Sequence, residues 1–249
     1  MIIPSDWFRE WFDSPYYHTL YFERDEQEAT AFINRLLDYL HPPSGCRMLD
    51  AGCGRGRHSR VLAAHGFDVT GIDLAAGSIA YARQFSNDHL HFYQHDMRLP
   101  LHVNYFHYVF NFFTSFGYFR TLREHYNAIR TISQSLRTNG IFLLDYLNVH
   151  YAEDHLVHRS VKEINGITYH LTKWFDETHF YKKILIEDEQ RDAPLEYVEK
   201  LAKFSLGDFN DMFSWHGLQI QELFGSYELA PYDIRHSPRL LMVARKVRP

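Results

Sequence analysis

The segment Met48-Leu49-Asp50-Ala51-Gly52-Cys53-Gly54-Arg55-Gly56-Arg57-His58 runs from a short apolar stretch through an acid into a glycine-rich turn. Glycine lets a backbone bend sharply and approach a ligand closely. The first amides of a following helix point into the same space, where the helix dipole favours negative charge. Alone, such a turn is weak evidence; its spacing to later polar residues strengthens it. Asp73 ends the next apolar run, Asp96 the one after, and Asn111 comes near the end of a fourth. An ionised carboxylate only accepts hydrogen bonds, so an acid after the second strand suits the two hydroxyls of a ribose. An acid after the third suits the exocyclic amine of an adenine. Together these positions describe an adenosine-shaped site.

The elements that must hold them follow from periodicity. Ala29, Phe32, Ile33, Leu36, Leu37 and Leu40 fall on one face of a helix from about Asp25 to Leu40, which His41-Pro42-Pro43 ends. Strand and helix then alternate. Strands are expected at 46–51, 67–73, 89–96, 105–113 and 141–147. Helices lie between them, the last opened by a Thr121/Glu124 capping box and ended by Asn139-Gly140. Such repeats imply a parallel sheet with helices on both faces, and the carboxyl ends of its strands form a ligand crevice. From about 150 to 205 the period changes to two, with Asn165-Gly166 marking a tight hairpin and strands at 180–188 and 195–205. A short helix (208–216) and strands near 218–229 and 239–247 close the chain. The expected fold is thus α/β: a Rossmann-like, doubly wound, mostly parallel seven-stranded sheet with an antiparallel β insertion after the fifth strand. Residues 1–149 and 206–249 would form the main domain, with an N-terminal helical lid, and 150–205 the insertion on the substrate side.

Composition bounds the function. The 249 residues are 45% apolar and 23% charged, a globular balance. Lys and Arg number 26 against 31 Asp and Glu, a net charge of -5 that lacks the footprint of broad nucleic-acid binding. Cys46 and Cys53 offer no disulfide framework, which suits an intracellular protein. With no spanning segment and no signal or transit pattern at the N-terminus, the expected location is the cytoplasm. Phe 20, Tyr 17, Trp 4 and His 17 are the unusual entries in the composition.

Leu49–Gly56 (LDAGCGRG), Gly71–Ala75 (GIDLA) and His95–Met97 (HDM) resemble the first three cofactor motifs of the class I S-adenosylmethionine-dependent methyltransferases. The resemblance covers about 40–149 and 206 to the end. FFTSFGYF (112–119), a helix and then NGIFLLDYLN look like the bacterial subgroup that includes sugar-amine N,N-dimethyltransferases. The resemblance implies S-adenosylmethionine as cofactor and S-adenosylhomocysteine as product. It implies that Gly52, Cys53 and Gly54 pass the methionine part across their backbone and that Asp50 orients this loop and the cofactor's amino group. Asp73 would hold the ribose, Leu74 pack on the adenine, Asp96 meet its amine and the Met97 amide a ring nitrogen. Asn111 would lie near the sulfonium, and Tyr17, Tyr21 and Arg24 would belong to a covering segment. Asn111 equally fits a buried polar residue, and Trp7, Phe8, Trp11 and Phe12 fit a buried helix face as well as a lid.

The expected function is methylation of a small molecule, with N-methylation of an amine foremost. A non-catalytic cofactor-binding or scaffolding relative and an RNA or protein methyltransferase remain as alternatives. Arg57 stands where a dinucleotide loop wants a small residue, against a nicotinamide enzyme. Asn111-Phe112-Phe113-Thr114 lacks the N-P-P-Y of many nucleic-acid amine methyltransferases. The residues name no single catalytic base; Tyr16 and Tyr17 are the candidates. His89, His91 and His95, and His150, His155 and His158, match no defined zinc spacing, so no metal is expected. The partner is a small methyl acceptor rather than a membrane or a nucleic acid. Oligomeric state is open, with a homodimer as one option.

Overall fold

The computed structural model describes Pro4, residues 7–21 and residues 26–248. Two short helices, α1 (Trp7–Asp13) and α2 (Pro15–Leu20), precede the longer α3 (Glu26–Leu40). Ser14 caps α2 by accepting from the Tyr16 amide, and Pro15 takes the first turn, where an amide would have no partner. Alternation follows: β1 (Arg47–Ala51), α4 (Arg57–Ala64), β2 (Asp68–Asp73), α5 (Ala76–Ala82) with a 3-10 turn at Arg83–Phe85, and β3 (Leu90–Gln94). Next come β4 (Phe106–Asn111), α6 (Leu122–Ser135), β5 (Leu136–Leu147) and α7 (Val149–Asp154). β6 (Arg159–Ile164), β7 (Ile167–Phe175), β8 (His179–Asp188) and β9 (Leu195–Ala202) lead to α8 (Leu206–Trp215), β10 (Leu218–Phe224) and β11 (Arg239–Lys246).

The larger sheet has the order β10-β11-β5-β4-β1-β2-β3. Its five strands from β3 to β5 are parallel, while β11 is antiparallel to β5 and β10 to β11. Strands covered on both faces need apolar side chains in both directions, and β1, β4 and β5 supply them. Met48, Tyr108, Phe110 and Leu143 face a core with Phe32, Ile33, Leu36 and Leu37 of α3. Their neighbours Leu49, Val109, Phe142 and Leu144 face the opposite core with Ile129 and Ile132 of α6 and Phe209 and Phe213 of α8. The expected α/β class and Rossmann-like sheet are therefore observed. Chain order reverses between β1 and β4, which opens the crevice at their carboxyl ends.

The second sheet is antiparallel, in the order β6-β7-β8-β9. Asn165 and Gly166 form its first turn at φ 53° and 78°, the left-handed pair a two-residue hairpin requires. Trp7, Phe8, Trp11 and Leu20 pack on Tyr169, Leu171, Ile184 and Ile186 of this sheet. Trp11 is fully buried, and its indole donates to Glu199 Oε1 at 2.7 Å. The end of β9 is tied to the parallel domain by the Ala202 amide, which donates to the Gly117 carbonyl at 2.9 Å. The Tyr146 hydroxyl also donates to the Ala202 carbonyl.

Several boundaries differ from expectation. The Thr121/Glu124 capping box forms, but α6 stops at Ser135 rather than at Asn139-Gly140. Leu136 turns extended to pair with Phe106, and both are fully buried; tertiary burial ends the helix before the Asn-Gly signal. Asn139, at φ 64°, instead lies within β5, where the pairing with β4 shifts register. α8 starts two residues earlier than expected because Ser205 and Asp208 form a second capping box. β10 ends at Phe224, and the chain then turns through Leu229 at φ 59°.

Trp11→Ala is expected to cost about 3–5 kcal/mol in urea denaturation, the loss for a large buried aromatic, if α1 is part of the core. A loss below about 1 kcal/mol would mean that α1 is a detachable cover.

Candidate active site

A cavity of about 980 Å³ opens at the carboxyl ends of β1, β2 and β4. Gly52, Cys53, Gly54, Asp73, Leu74 and Met97 line it, as do Tyr17 and Tyr21 from the N-terminal helices. The structure thus gathers eight of the expected residues around one space.

The glycine loop is held from below. The amides of Gly52 and Cys53 donate to the Ile72 carbonyl at 2.8 and 2.9 Å. Gly52 takes φ 83°, and a β-carbon there would come within 2.6 Å of the Ser115 β-carbon. Gly54, at φ 54°, has nothing within 4 Å of where a β-carbon would stand. The loop therefore packs tightly on one side and leaves its Gly54 side open.

Asp73 joins the two loops. Its Oδ2 accepts from the Gly54 amide at 2.8 Å and its Oδ1 from the Ala75 amide at 2.9 Å. Burial pushes its carboxyl above the ordinary range, while the Ala75, Gly54 and Leu74 amides oppose that shift. Each oxygen keeps acceptor capacity beyond one amide, enough for a pair of hydroxyls.

Asp50, Asp96 and Asn111 are not in the cavity wall. Asp50 is buried beneath the loop and its Oδ2 accepts from the Ser59 hydroxyl at 2.6 Å, which ties β1 to α4. Asn111 Nδ2 donates to the Ala51 carbonyl at 2.6 Å, linking β4 to β1, and its buried Oδ1 has no hydrogen-bond partner among the described residues. Asp96 is turned to Arg98, whose Nη2 donates to Oδ2 at 2.6 Å. Burial raises the Asp96 carboxyl, but the Arg98 guanidinium and amide outweigh it and hold the group below the ordinary range. His95 and Met97, on either side of Asp96, do reach the cavity.

The N-terminal tyrosines divide. Tyr16, a candidate base in the sequence, is outside the wall: its hydroxyl donates to Asp188 Oδ2 at 2.6 Å. Its α2 neighbour Tyr17 turns inward, its ring 5.0 Å from Phe12 and 4.8 Å from Tyr21. Arg24 lies outside the described residues. Phe8 and Phe12 line the cavity while Trp7 and Trp11 lie in the core, so one helix serves as both core and cover.

Several lining residues were not among the expected site residues. Lys173, Lys182, Glu199 and Leu201 enter from the antiparallel sheet, and Tyr118 from the loop after β4. The Tyr21 hydroxyl donates to Glu199 Oε1 at 3.0 Å, Lys182 donates to the Tyr21 hydroxyl, and Lys182 stands 3.8 Å from Glu199 Oε2. These groups come from the residue that ends α2, from β8 and from β9, so no local spacing could reveal them. His18 also lines the cavity, where burial first and nearby Arg55 next push its imidazole down to about 4, with Asp13 opposing. It is thus neutral near pH 7. Asp13 Oδ1 accepts from the Gly77 amide at 2.7 Å, fastening α1 to the start of α5. Among the described residues no three His, Cys, Asp or Glu converge as a metal site.

Burial is the largest influence on Asp50 and raises its carboxyl to about 7, with the Ser59 hydroxyl opposing and Asp73 adding. Between about pH 4 and 7 the folded protein then holds a proton that the unfolded chain has released, so stability falls as pH rises through that window. Asp50→Asn keeps an acceptor for Ser59. It is expected to exceed the parent by on the order of 4 kcal/mol in urea denaturation at about pH 8, and by far less at about pH 4.5. Equal differences at both values would contradict the assignment.

A family model described as a methyltransferase domain matches residues 21–223. A protein of Geobacillus sp. (strain WCH70) named as a methyltransferase is 24% identical over 226 residues, covering 87% of this chain and 91% of its own. The Bacillus subtilis (strain 168) methyltransferase YqeM is 34% identical over 106 residues, 41% of this chain and 43% of that protein. The matched region thus spans less than half of YqeM. A malonyl-[acyl-carrier protein] O-methyltransferase from Pectobacterium atrosepticum is 48% identical over 50 residues, 20% of this chain and 20% of that protein. Among solved structures, an S-adenosylmethionine-dependent methyltransferase from Clostridium acetobutylicum superimposes with TM-score 0.77 at 14% identity, over 92% of this chain and 95% of that one. A sugar N-methyltransferase from Streptoalloteichus sp. gives 0.71 at 20% identity over 92% of each chain. These structural likenesses concern the fold, and it is the family model, matching well over half of the residues, that establishes membership: the chain belongs to the methyltransferase-domain family.

Proposed function

We propose that this chain is an S-adenosylmethionine-dependent methyltransferase that methylates the nitrogen of a small-molecule amine. The observation that carries this reading is the continuity of one cavity. Its floor is the Gly52–Gly54 loop with Asp73, and its far wall is Tyr17, Tyr21, Lys182 and Glu199. The cradle suits the cofactor: Gly54 leaves space a side chain would occupy, and the Asp73 carboxylate faces the same cavity. In this reading Gly52, Cys53 and Gly54 carry the methionine part, Asp73 the ribose hydroxyls, and Leu74 and Met97 the adenine. Asp50 and Asn111 act from beneath by fixing the loop. S-adenosylmethionine, when bound, supplies an electrophilic methyl on a positively charged sulfur.

The chain's own work is alignment, exclusion of water and handling of a proton. Direct displacement needs the accepting lone pair in line and about 3 Å from the methyl carbon, so a rigid wall matters more than an activating group. Phe8, Phe12, Tyr17 and Tyr118 supply an aromatic wall. An amine must lose its proton before it can attack, and a phenol or carboxylate within reach can accept or relay it. Tyr17 keeps that candidate role, whereas the Tyr16 hydroxyl is occupied by Asp188. Glu199 offers a carboxylate on the antiparallel sheet to hold an ammonium group. Residues 150–205 would thus form the acceptor side. The fold likeness to an amino pentose methyltransferase from Micromonospora echinaspora (TM-score 0.67, 22% identity, 94% of this chain and 97% of that one) agrees with an amine acceptor as analogy.

Asp73→Ala is expected to weaken S-adenosylmethionine binding in calorimetry by about 1–3 kcal/mol, the loss of a charged acceptor. Unchanged affinity in a folded variant would remove the ribose assignment. For the acceptor, methyl release from labelled S-adenosylmethionine is measured across libraries of small amines, alcohols and carboxylic acids. Turnover is expected with amines; turnover with the other classes alone would overturn N-methylation. Cofactor binding without turnover in any class would point to a non-catalytic relative.

A further inference from the structure

Phe113 and Thr114 follow β4 with φ values of 53° and 58°, two adjacent residues in the left-handed region without a glycine between them. Thr114 is β-branched, so this conformation is costly and persists only where surrounding groups enforce it. Here the enforcing groups come from two distant strands. Asp145 of β5 accepts from the Phe113 amide at 2.7 Å through Oδ2, and its carbonyl accepts from the Thr114 amide at 3.1 Å. Arg239 of β11 donates from Nη2 to Thr114 Oγ1 at 2.7 Å and to Asp145 Oδ1 at 2.6 Å, and from Nε to the same oxygen at 2.9 Å. The Tyr227 hydroxyl completes the set, donating to Asp145 Oδ2 at 3.0 Å, and its ring stacks on Phe113 at 4.8 Å. The Asp145 side chain is fully buried.

The strained turn bears directly on the glycine loop. Ser115 Oγ lies 3.3 Å from the Gly52 carbonyl, and its β-carbon occupies the space a side chain at Gly52 would need. The Phe113 ring also stacks at 5.0 Å on His58, in the first turn of α4. Gly52, His58 and residues 112–115 all line the cavity.

We propose that Asp145 and Arg239 are positioning residues: by clamping Phe113 and Thr114 in the left-handed conformation, they set the Gly52–Gly54 loop for S-adenosylmethionine. This rests on the cofactor placement proposed above. The chemistry requires a forked cation, since one guanidinium bonds Asp145 and Thr114 together. A lysine ammonium at the same place is a single point of charge.

Two substitutions at one position separate conformation from a lost bond. Thr114→Val and Thr114→Gly both remove the oxygen that accepts from Arg239, but only glycine adopts a left-handed φ without strain. Thr114→Val is expected to weaken S-adenosylmethionine binding in calorimetry about tenfold or more, and Thr114→Gly by no more than about threefold. Arg239→Lys is expected to lose a comparable factor, and the double variant Arg239→Lys/Thr114→Gly to regain most of it. Thermal melting of each variant checks folding, and the valine–glycine comparison decides the matter even if the Arg239 variant does not fold. Equal losses in the two Thr114 variants would overturn the clamp. So would a folded Arg239→Lys with full affinity, or one that the glycine does not rescue. Parent protein that binds no S-adenosylmethionine would remove the cofactor placement and the clamp together, whereas normal parent binding with any of the preceding results removes the clamp alone.

Discussion

The carboxylate of Asp73 is the contact on which the site is assembled. It stands at the end of β2 and accepts from amides of two segments at once, Gly54 in the glycine loop and Ala75 before α5. A half-buried carboxylate without such donors would be unfavourable, so the two loops and the charge stabilise one another. Beneath it, Asp50 holds Ser59 of α4 and Asn111 holds the Ala51 carbonyl. The polar groups below the crevice thus define a rigid floor before any ligand is considered. Preorganisation of this kind lowers the cost of ordering a flexible loop on binding.

The upper half is built on a different principle. α1 and α2 are too short to be stable alone, and they gain their order by burying Trp7, Phe8, Trp11 and Leu20 against the antiparallel sheet. Because a helix has more than one face, the same segment leaves Phe8, Phe12 and Tyr17 toward the cavity. Glu199 receives hydrogen bonds from both Trp11 and Tyr21, so core packing and cavity wall share one carboxylate. Part of the aromatic excess of the composition is placed here: Trp7 and Trp11 anchor the N-terminal helices, Phe12 and Tyr17 line the cavity, and Phe8 does both. The histidines occupy varied surroundings. His125 is buried, His18, His58 and His95 line the cavity, and others such as His89 and His155 are on the surface.

What could be read in advance was local. The Gly52–Gly56 turn, the Asn165-Gly166 hairpin and the Thr121/Glu124 box each act through residues a few positions apart, and each formed as its chemistry dictates. Asp50, Asp96 and Asn111 show the limit of that reading. Their positions near strand ends were legible, but whether a side chain points into the crevice or beneath it depends on the pleat and on neighbours such as Ser59 and Arg98. Tyr16 and Tyr17 are adjacent in sequence, yet helical geometry sends one to Asp188 and the other into the cavity.

By itself, then, the sequence determined the α/β class, the alternation of strand and helix and the loop that opens the crevice. Short-range periodicity and turn chemistry govern all three. Only the tertiary structure decided which distant groups meet there. Arg239 reaches Asp145 across antiparallel β11 and β5, and Lys182 and Glu199 reach Tyr21 across a second sheet. Such partners are 94 and 178 residues apart along the chain. Their encounter is set by strand register and by the burial of Trp11 and its neighbours, neither of which any local spacing encodes.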